Sequence, residues 1–279
     1  MKFLKKNIKT IILGMIFTIG VGLLAYPTVA DWWNKNMASH AIADYNNLLA
    51  GVDTSEYDSI LESARDYNAV ISSEPARFTP GEELHKRYEK ELSINDTSLM
   101  GTILIPEVDI SLPVYHGTTD EVLGMGAGHL EGSSLPIGGL GTHSVITGHR
   151  GLPSAKLFTD LDKVEVDDYI ILKIMNEQLT YQVDQIRIVL PSEVEDLKIE
   201  PDQDLLTLVT CTPYGINSHR ILITGHRVEN LPEDYNGMAE GQLLDSKFVA
   251  MFIAIPILIG LFIWLLIRYR KPKDDEDEN

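Results

Sequence analysis

Two apolar stretches near the ends of the chain limit what it can fold into. The first covers residues 10–30 and the second covers residues 248–267, and neither contains a charged side chain. Each is close to the roughly 20 residues that a membrane-spanning helix needs. Four Lys or Arg residues precede the first stretch and four follow the second. The positive-inside rule therefore predicts a two-pass protein of the cell membrane with both termini in the cytoplasm.

This topology divides the chain into seven predicted segments. They are a cytoplasmic N-terminus (1–9), a transmembrane helix (10–30), an extracellular helical region (31–95), a β domain (96–230), a linker (231–247), a second transmembrane helix (248–267) and a cytoplasmic tail (268–279). For the first stretch a cleaved signal peptide is the alternative, because Thr28-Val29-Ala30 is similar to a small-residue cleavage site.

The extracellular part is strongly acidic. It carries 36 Asp or Glu and 15 Lys or Arg residues, a net charge of −21. Such a surface argues against nucleic acid as a partner and suits a partner that presents lysines, although solubility alone explains it equally well. The eight His residues are scattered without the spacing of metal ligands. We therefore expect neither a metal ion nor another cofactor.

Hydrophobic periodicity predicts helices followed by strands. Apolar residues recur every three to four positions from Trp32 to about Leu92, which is typical of amphipathic helices. Beyond residue 96, eight short apolar or alternating runs predict strands at 101–106, 110–115, 143–147, 169–174, 179–183, 185–190, 205–211 and 220–224. We predict a mainly β fold, an eight-stranded barrel with an N-terminal helical extension, flanked by two transmembrane helices.

The only cysteine, Cys211, ends one predicted strand, and Arg220 begins the next. A lone thiol in this position is a candidate nucleophile with an electrostatic partner, whereas an inert buried cysteine is the alternative. The tetrapeptide Thr-Gly-His-Arg occurs twice and offers two bases, His149 and His226. At roughly 3.3 Å per residue, His226 would lie about 20 Å beyond Arg220 on the same strand. His149 is therefore the predicted partner of Cys211.

The segment 207–220, Thr-Leu-Val-Thr-Cys-Thr-Pro-Tyr-Gly-Ile-Asn-Ser-His-Arg, resembles the active-site strand of sortases, specifically the class C type that assembles pili. Three further motifs match the same group: Tyr-His-Gly-Thr at 115–118, Gly-Ala-Gly-His-Leu-Glu-Gly at 126–132 and Thr-Gly-His-Arg-Gly-Leu-Pro at 147–153. The two predicted membrane helices also resemble the arrangement in that class.

The resemblance implies a sortase-type β-barrel and a cysteine transpeptidase of the Gram-positive cell surface. Cys211 would attack the Thr–Gly amide of an LPXTG-like sorting signal on a pilin subunit and form a thioacyl enzyme. A lysine amine of the next pilin would resolve this intermediate, so that pilus subunits are polymerised. His149 would transfer the protons, and Arg220 would hold the substrate and stabilise the oxyanion.

Class C sortases typically also carry a lid, in which Asp-Pro and a following aromatic residue cover the cysteine. The corresponding stretch here reads Glu74-Pro75-Ala76-Arg77-Phe78 and departs from that pattern. We expect Glu74 to pair with Arg220 and Phe78 to supply the aromatic ring. The alternative is an ordinary loop between two helices.

Three other functions stay open at this point. A housekeeping sortase that anchors proteins to peptidoglycan would use the same residues, but the second apolar stretch and Pro213-Tyr214-Gly215 argue against it. A papain-like peptidase has Cys before His along the chain, the reverse of the order here. A non-catalytic, membrane-anchored pilus assembly factor would have no use for the trio Cys211, His149 and Arg220.

Overall fold

The computed structural model describes residues 2–95, 97–232, 235 and 254–264. Its contacts divide the chain into two units, one of residues 1–30 with 241–279 and one of residues 31–240. In the first unit, helix α1 (Lys2–Leu49) begins, and a further helix covers Ala254–Trp264. The rings of Phe17 and Phe262 stack there with their centroids 4.3 Å apart.

Helix α1 continues past the predicted boundary at residue 30, and Pro27 lies inside it. Its portion Ile12–Leu49 is long and apolar enough to cross a membrane, with a mean hydropathy of 1.9 in its most apolar window. The helix Ala254–Trp264 is apolar but shorter, and the rest of the predicted stretch 248–267 lies outside the described residues. A second membrane-spanning helix therefore stays a prediction.

In the second unit, the end of α1 joins α2 (Thr54–Ser73) and α3 (Glu82–Tyr88) to form the predicted helical region. These helices bury apolar side chains in the same core as the barrel strands. Tyr45 of α1 illustrates the join, because its hydroxyl donates to the carbonyl of Met100 at 2.7 Å and accepts the N–H of Met175 at 3.2 Å. The helical extension is thus an integral layer of the domain.

Eight strands form the closed barrel that the sequence predicts. Their bounds are β1 Leu99–Ile105, β2 Ile110–His116, β3 Ala127–His129, β4 Thr142–Thr147, β5 Tyr169–Ile174, β6 Glu177–Val189, β7 Asp204–Thr212 and β8 His219–Val228. Around the barrel they run in the order β1-β2-β3-β4-β7-β8-β6-β5, and a short helix, α4 (Asp120–Met125), precedes β3. The pairs β2–β3 and β4–β7 are parallel and the others are antiparallel.

The number of strands agrees with the prediction, but two of the assignments were wrong. The runs 179–183 and 185–190 belong to one strand, β6, whose register with β8 shifts between Val183 and Gln185. The polar residue at this bulge, Asp184, interrupts the apolar alternation without ending the strand. The strand that the pattern missed is β3, which has three residues and is too short for alternation to register.

A buried polar network joins α3 to β3. The ring of His129 is fully buried, and its Nε2 lies 2.8 Å from the carbonyl of Ser134, to which it must donate. Nδ1 lies 3.0 Å from the hydroxyl of Tyr88, which also lies 3.0 Å from the carbonyl of His129 and accepts the N–H of Gly117 at 2.8 Å. Burial disfavours the charged ring and lowers the pKa of His129 to about 4.

This network predicts a loss of stability in acid. Because the pKa of His129 is lower in the folded chain than the unfolded value of about 6.5, stability is complete above pH 6.5. It should fall by up to about 3 kcal/mol as the pH drops towards 4. Urea unfolding of the detergent-solubilised chain between pH 4.5 and 7.5 measures this slope. His129→Gln should flatten it, whereas His40→Gln, at an exposed position on α1, should not. Equal slopes in all three proteins would contradict the assignment.

Candidate functional site

Cys211 and Arg220 lie opposite each other at one end of the barrel. Cys211 is the last residue but one of β7, Arg220 is the second residue of β8, and the antiparallel register pairs them directly. Directly opposed residues of an antiparallel pair project on the same face. Cys211 is a free, partly buried cysteine. The thiol and the guanidinium thus share one side of the barrel wall.

The guanidinium of Arg220 is anchored by backbone carbonyls. Its Nη1 donates to the carbonyl of Asn217 at 3.2 Å and to that of His219 at 3.0 Å, both at the start of β8 or just before it. Within the described part of the chain, no carboxylate forms an ion pair with it. Its positive charge is therefore available to an incoming group.

His149 reaches the same end of the barrel by a different route. Strands β4 and β7 run parallel, with Thr147 opposite Val209. His149 follows Thr147 by two residues just as Cys211 follows Val209, so parallel pairing carries both to the same level. The His149 side chain is 30% exposed, and its Nε2 lies 4.0 Å from Oδ1 of Asp120 at the start of α4.

The backbone next to His149 is fixed to the strand that carries the cysteine. The N–H of Gly148 donates to the carbonyl of Val209 at 3.1 Å, and its carbonyl accepts the hydroxyl of Thr210 at 2.7 Å. A Cβ at Gly148 would come within 2.7 Å of the Phe158 ring, so only glycine allows this approach. The imidazole is thereby carried on a well-anchored segment.

These side chains open into one cavity of about 430 Å³. Cys211, His149, Arg220 and Phe78 all line it. Its other walls are largely apolar and come from α4, the strands and the loop between β6 and β7: Leu123, Leu130, Val145, Val189, Leu190, Val194, Leu197, Val209 and Leu222. A second hollow, of about 480 Å³, is polar and acidic, and no cysteine or histidine lines it. The first cavity is therefore the one suited to covalent chemistry.

The two predicted lid residues have different positions. Phe78 lines the cavity and packs beside the buried cluster of Val145, Val189, Leu197 and Leu222. Glu74 is not among the lining residues, and its Oε1 accepts the N–H of Ala76 at 3.1 Å instead of pairing with Arg220. A carboxylate so close to its own turn satisfies the local backbone first. The expected Glu74–Arg220 pair is thus not found.

The segment that carries Phe78 is held on the barrel by its neighbour. Nη2 of Arg77 donates to the carbonyl of Leu197 at 2.7 Å, and the guanidinium lies 4.5 Å from the centroid of the Phe78 ring. Gly132, at φ +90°, allows the backbone to pass closely, since a Cβ there would lie 2.1 Å from the carbonyl oxygen of Arg77. These contacts seat the segment 77–78 over one wall of the cavity.

Sequence reasoning missed two parts of this site. One is Asp120, which lies at the start of the short helix α4. The other is the apolar wall from the β6–β7 loop, where Leu190 and Val194 are exposed hydrophobic residues within an acidic loop. Among the residues that the structure describes, no group of three or more His, Cys, Asp or Glu side chains is placed to hold a metal ion.

The chain is similar to known sortases in both sequence and structure. A family model described as the sortase domain matches residues 103–228. The crystal structure of sortase C1 from Streptococcus agalactiae is 48% identical and has a TM-score of 0.67, covering 69% of this chain and 100% of its own. The structure of Clostridium perfringens sortase C with the C-terminal cell wall sorting motif is 39% identical, has a TM-score of 0.61 and covers 69% and 100%.

A curated relative is similar over a shorter region. Sortase A of Streptococcus agalactiae serotype III (strain NEM316) is 32% identical over 117 residues, which are 41% of this chain and 47% of that protein. The chain thus spans about half the length of that relative. The family model, by contrast, runs from within β1 to the last residue of β8 and takes in all of the barrel except the start of β1. As the sequence motifs predicted, the chain belongs to the sortase family.

Proposed function

We propose that this protein is a cysteine transpeptidase that cleaves an LPXTG-like sorting signal between Thr and Gly and joins it to a lysine amine of a pilin subunit. The observation that carries the proposal is the shared cavity of about 430 Å³, which Cys211, His149 and Arg220 all line. Its apolar walls suit the Leu and Pro side chains of such a signal.

In the first step, Cys211 passes its thiol proton to His149, and the resulting thiolate attacks the carbonyl carbon of the substrate Thr. The carbonyl oxygen becomes an oxyanion, which Arg220 stabilises, because it stands opposite Cys211 and no described carboxylate neutralises it. As the C–N bond breaks, His149 gives a proton to the leaving amine of Gly. A thioester to Cys211 remains.

In the second step, the lysine amine attacks the thioester. His149, now neutral, accepts a proton from the amine, the C–S bond breaks, and an isopeptide bond forms. Transfer to an amine instead of water requires a high effective concentration of the amine beside the thioester. The acidic surface of the extracellular part favours the approach of lysines.

The choice of a pilin lysine as acceptor follows from the class C likeness. The two similar solved structures described above are named sortase C1 and sortase C. The competing acceptor is a peptidoglycan amine, which a housekeeping sortase would use. The choice of acceptor changes the product, but the same residues of the enzyme form it.

The test uses the full chain in detergent with an LPXTG peptide. Mass spectrometry should first show a peptide adduct on Cys211. Pilin protein and wall-peptide amines are then offered in parallel. Release of a pilin conjugate supports the proposal, and release of a wall-peptide conjugate alone assigns the housekeeping role. No adduct with any sorting peptide would refute the transpeptidase itself.

We also propose a two-pass topology, with residues 10–30 and 248–267 spanning the membrane and residues 31–247 outside. The apolar character of α1 and of the helix Ala254–Trp264 supports it. Protease added to intact cells should leave an epitope appended after residue 279 uncut. Removal of that epitope would place the C-terminus outside.

Phe78 is the residue proposed to cover the cysteine. Phe78→Ala should remove a covering contact of about 1.4 kcal/mol. The fraction of molecules with an uncovered cysteine, and with it the alkylation rate of Cys211, should then rise about tenfold. Iodoacetamide labelling reports only this position, because the chain has one cysteine.

Glu74→Ala is the matched control, since its carboxylate bonds to its own turn and lies outside the cavity lining. Its alkylation rate should equal that of the unmodified chain. A rate unchanged in Phe78→Ala would show that this segment is an ordinary loop.

A further inference from the structure

Arg150 links the two segments that carry the reactive side chains. It directly follows His149, and its Nη1 donates to Oγ1 of Thr212, the residue after Cys211, at 3.3 Å. Its Nη2 forms an ion pair with Asp162, and its side chain is only 8% exposed. One buried guanidinium thus connects the end of β4 with the end of β7.

The same guanidinium lies against the loop that follows the cysteine. Its central carbon is 5.9 Å from the centroid of the Tyr214 ring. Together with the Gly148 bonds to Val209 and Thr210, it completes a set of contacts on both sides of His149. Of these hydrogen bonds, the Arg150–Thr212 bond is the one made by side chains alone.

An arginine is a costly residue to bury here. Its Nε is buried without a hydrogen-bond partner among the described residues. An unmatched buried donor is unfavourable, and an apolar side chain of similar volume often packs at least as stably as a buried ion pair. The benefit of an arginine at this position therefore lies in the two attachments that its fork makes at once.

We propose that Arg150 is a positioning residue that holds the imidazole of His149 at a fixed separation from the sulfur of Cys211. The inference rests on the proposed transpeptidase function and deepens it. Both proton transfers need the imidazole placed accurately beside the reacting atoms, and a displacement of about 1 Å can cost about 100-fold in rate. Arg150 itself touches neither substrate nor sulfur in this role.

Three variants test the bridge: Arg150→Met removes it, Arg150→Lys keeps the charge without the fork, and Thr212→Val removes the acceptor. Each should lower kcat by about 10- to 100-fold with KM changed less than about twofold. Because they break the same contact, Arg150→Met with Thr212→Val should lose no more than the worse single variant. Thr212→Ser, which restores a hydroxyl, should recover most of the rate.

The pH profile of Cys211 alkylation separates positioning from simple stabilisation. It needs no sorting peptide, so it remains informative even if the substrate assignment fails. If Arg150 holds the imidazole beside the thiol, the alkylation profile of each bridge variant should move towards that of His149→Ala, in which the imidazole is absent.

The second Thr-Gly-His-Arg copy supplies a matched control. Arg227 donates from Nη1 to the carbonyl of Thr180 at 3.1 Å and lies over the Tyr181 ring, seven residues along β8 from Arg220. Arg227→Met should leave kcat and the alkylation profile unchanged. The proposal is overturned if Arg150→Met keeps both unchanged while only its thermal midpoint falls, or if Arg150→Lys behaves like the unmodified chain.

Discussion

Replacing Cys211 with alanine is expected to abolish formation of the acyl-enzyme and to lower turnover at least about 10⁴-fold. The sulfur is the only thiol in the chain and stands in the cavity beside Arg220 and His149. Because the side chain is small and only partly buried, the variant should fold normally. Full-chain protein incubated with an LPXTG peptide should then show no mass increase.

Cys211→Ser is the matched control for shape. A hydroxyl fills the same space but is a far weaker nucleophile near neutral pH, so its turnover should also be lost. Cells that carry Cys211→Ala should form no covalent pilin polymer. Polymer at the normal level in those cells would restore the interpretation as a non-catalytic assembly factor.

The second large effect is expected for His149→Ala, which should lower kcat/KM about 10³-fold. Two titratable bases line the cavity with the cysteine: the imidazole of His149 and the carboxylate of Glu193 in the β6–β7 loop. Added imidazole should restore part of the rate, since a cavity of about 430 Å³ can admit it.

The repeated tetrapeptide again provides the control. His226 occupies the same place in the second copy, but it pairs with Leu205, six residues before Cys211, and its Nδ1 lies 3.1 Å from Asp184. His226→Ala should keep nearly full activity. Equal losses in the two variants, or no loss in His149→Ala, would remove His149 from the mechanism.

The grouping of Cys211, His149 and Arg220 around one cavity was predictable, because each lies at the edge of a strongly patterned run. The apolar runs before Cys211 and after Arg220 are separated by a short loop rich in turn residues, and such runs form a hairpin with opposed ends. The observed register pairs these two residues directly. His226 could be excluded by distance along its strand, which left His149.

Other features depend on contacts between distant parts of the chain. The parallel pairing of β4 with β7 joins residues about 60 positions apart, and no local pattern specifies it. The three-residue strand β3 exists only because its neighbours pair with it on both sides. Glu74 accepts a hydrogen bond from the N–H of Ala76 in its own turn. A motif comparison cannot tell whether a carboxylate will bond locally or pair with a distant arginine.

The position of β7 between β4 and β8 limits where residues can be inserted into this chain. Strands β4, β7 and β8 are consecutive around the barrel, and they or the segments at their ends carry the imidazole, the sulfur and the guanidinium. A one-residue insertion in the middle of β7 would turn the sulfur to the opposite side of the barrel wall, away from the cavity. The connection from residue 190 to 203 lies between β6 and β7, so a change in its length would alter the apolar wall of the cavity without changing the register of β7.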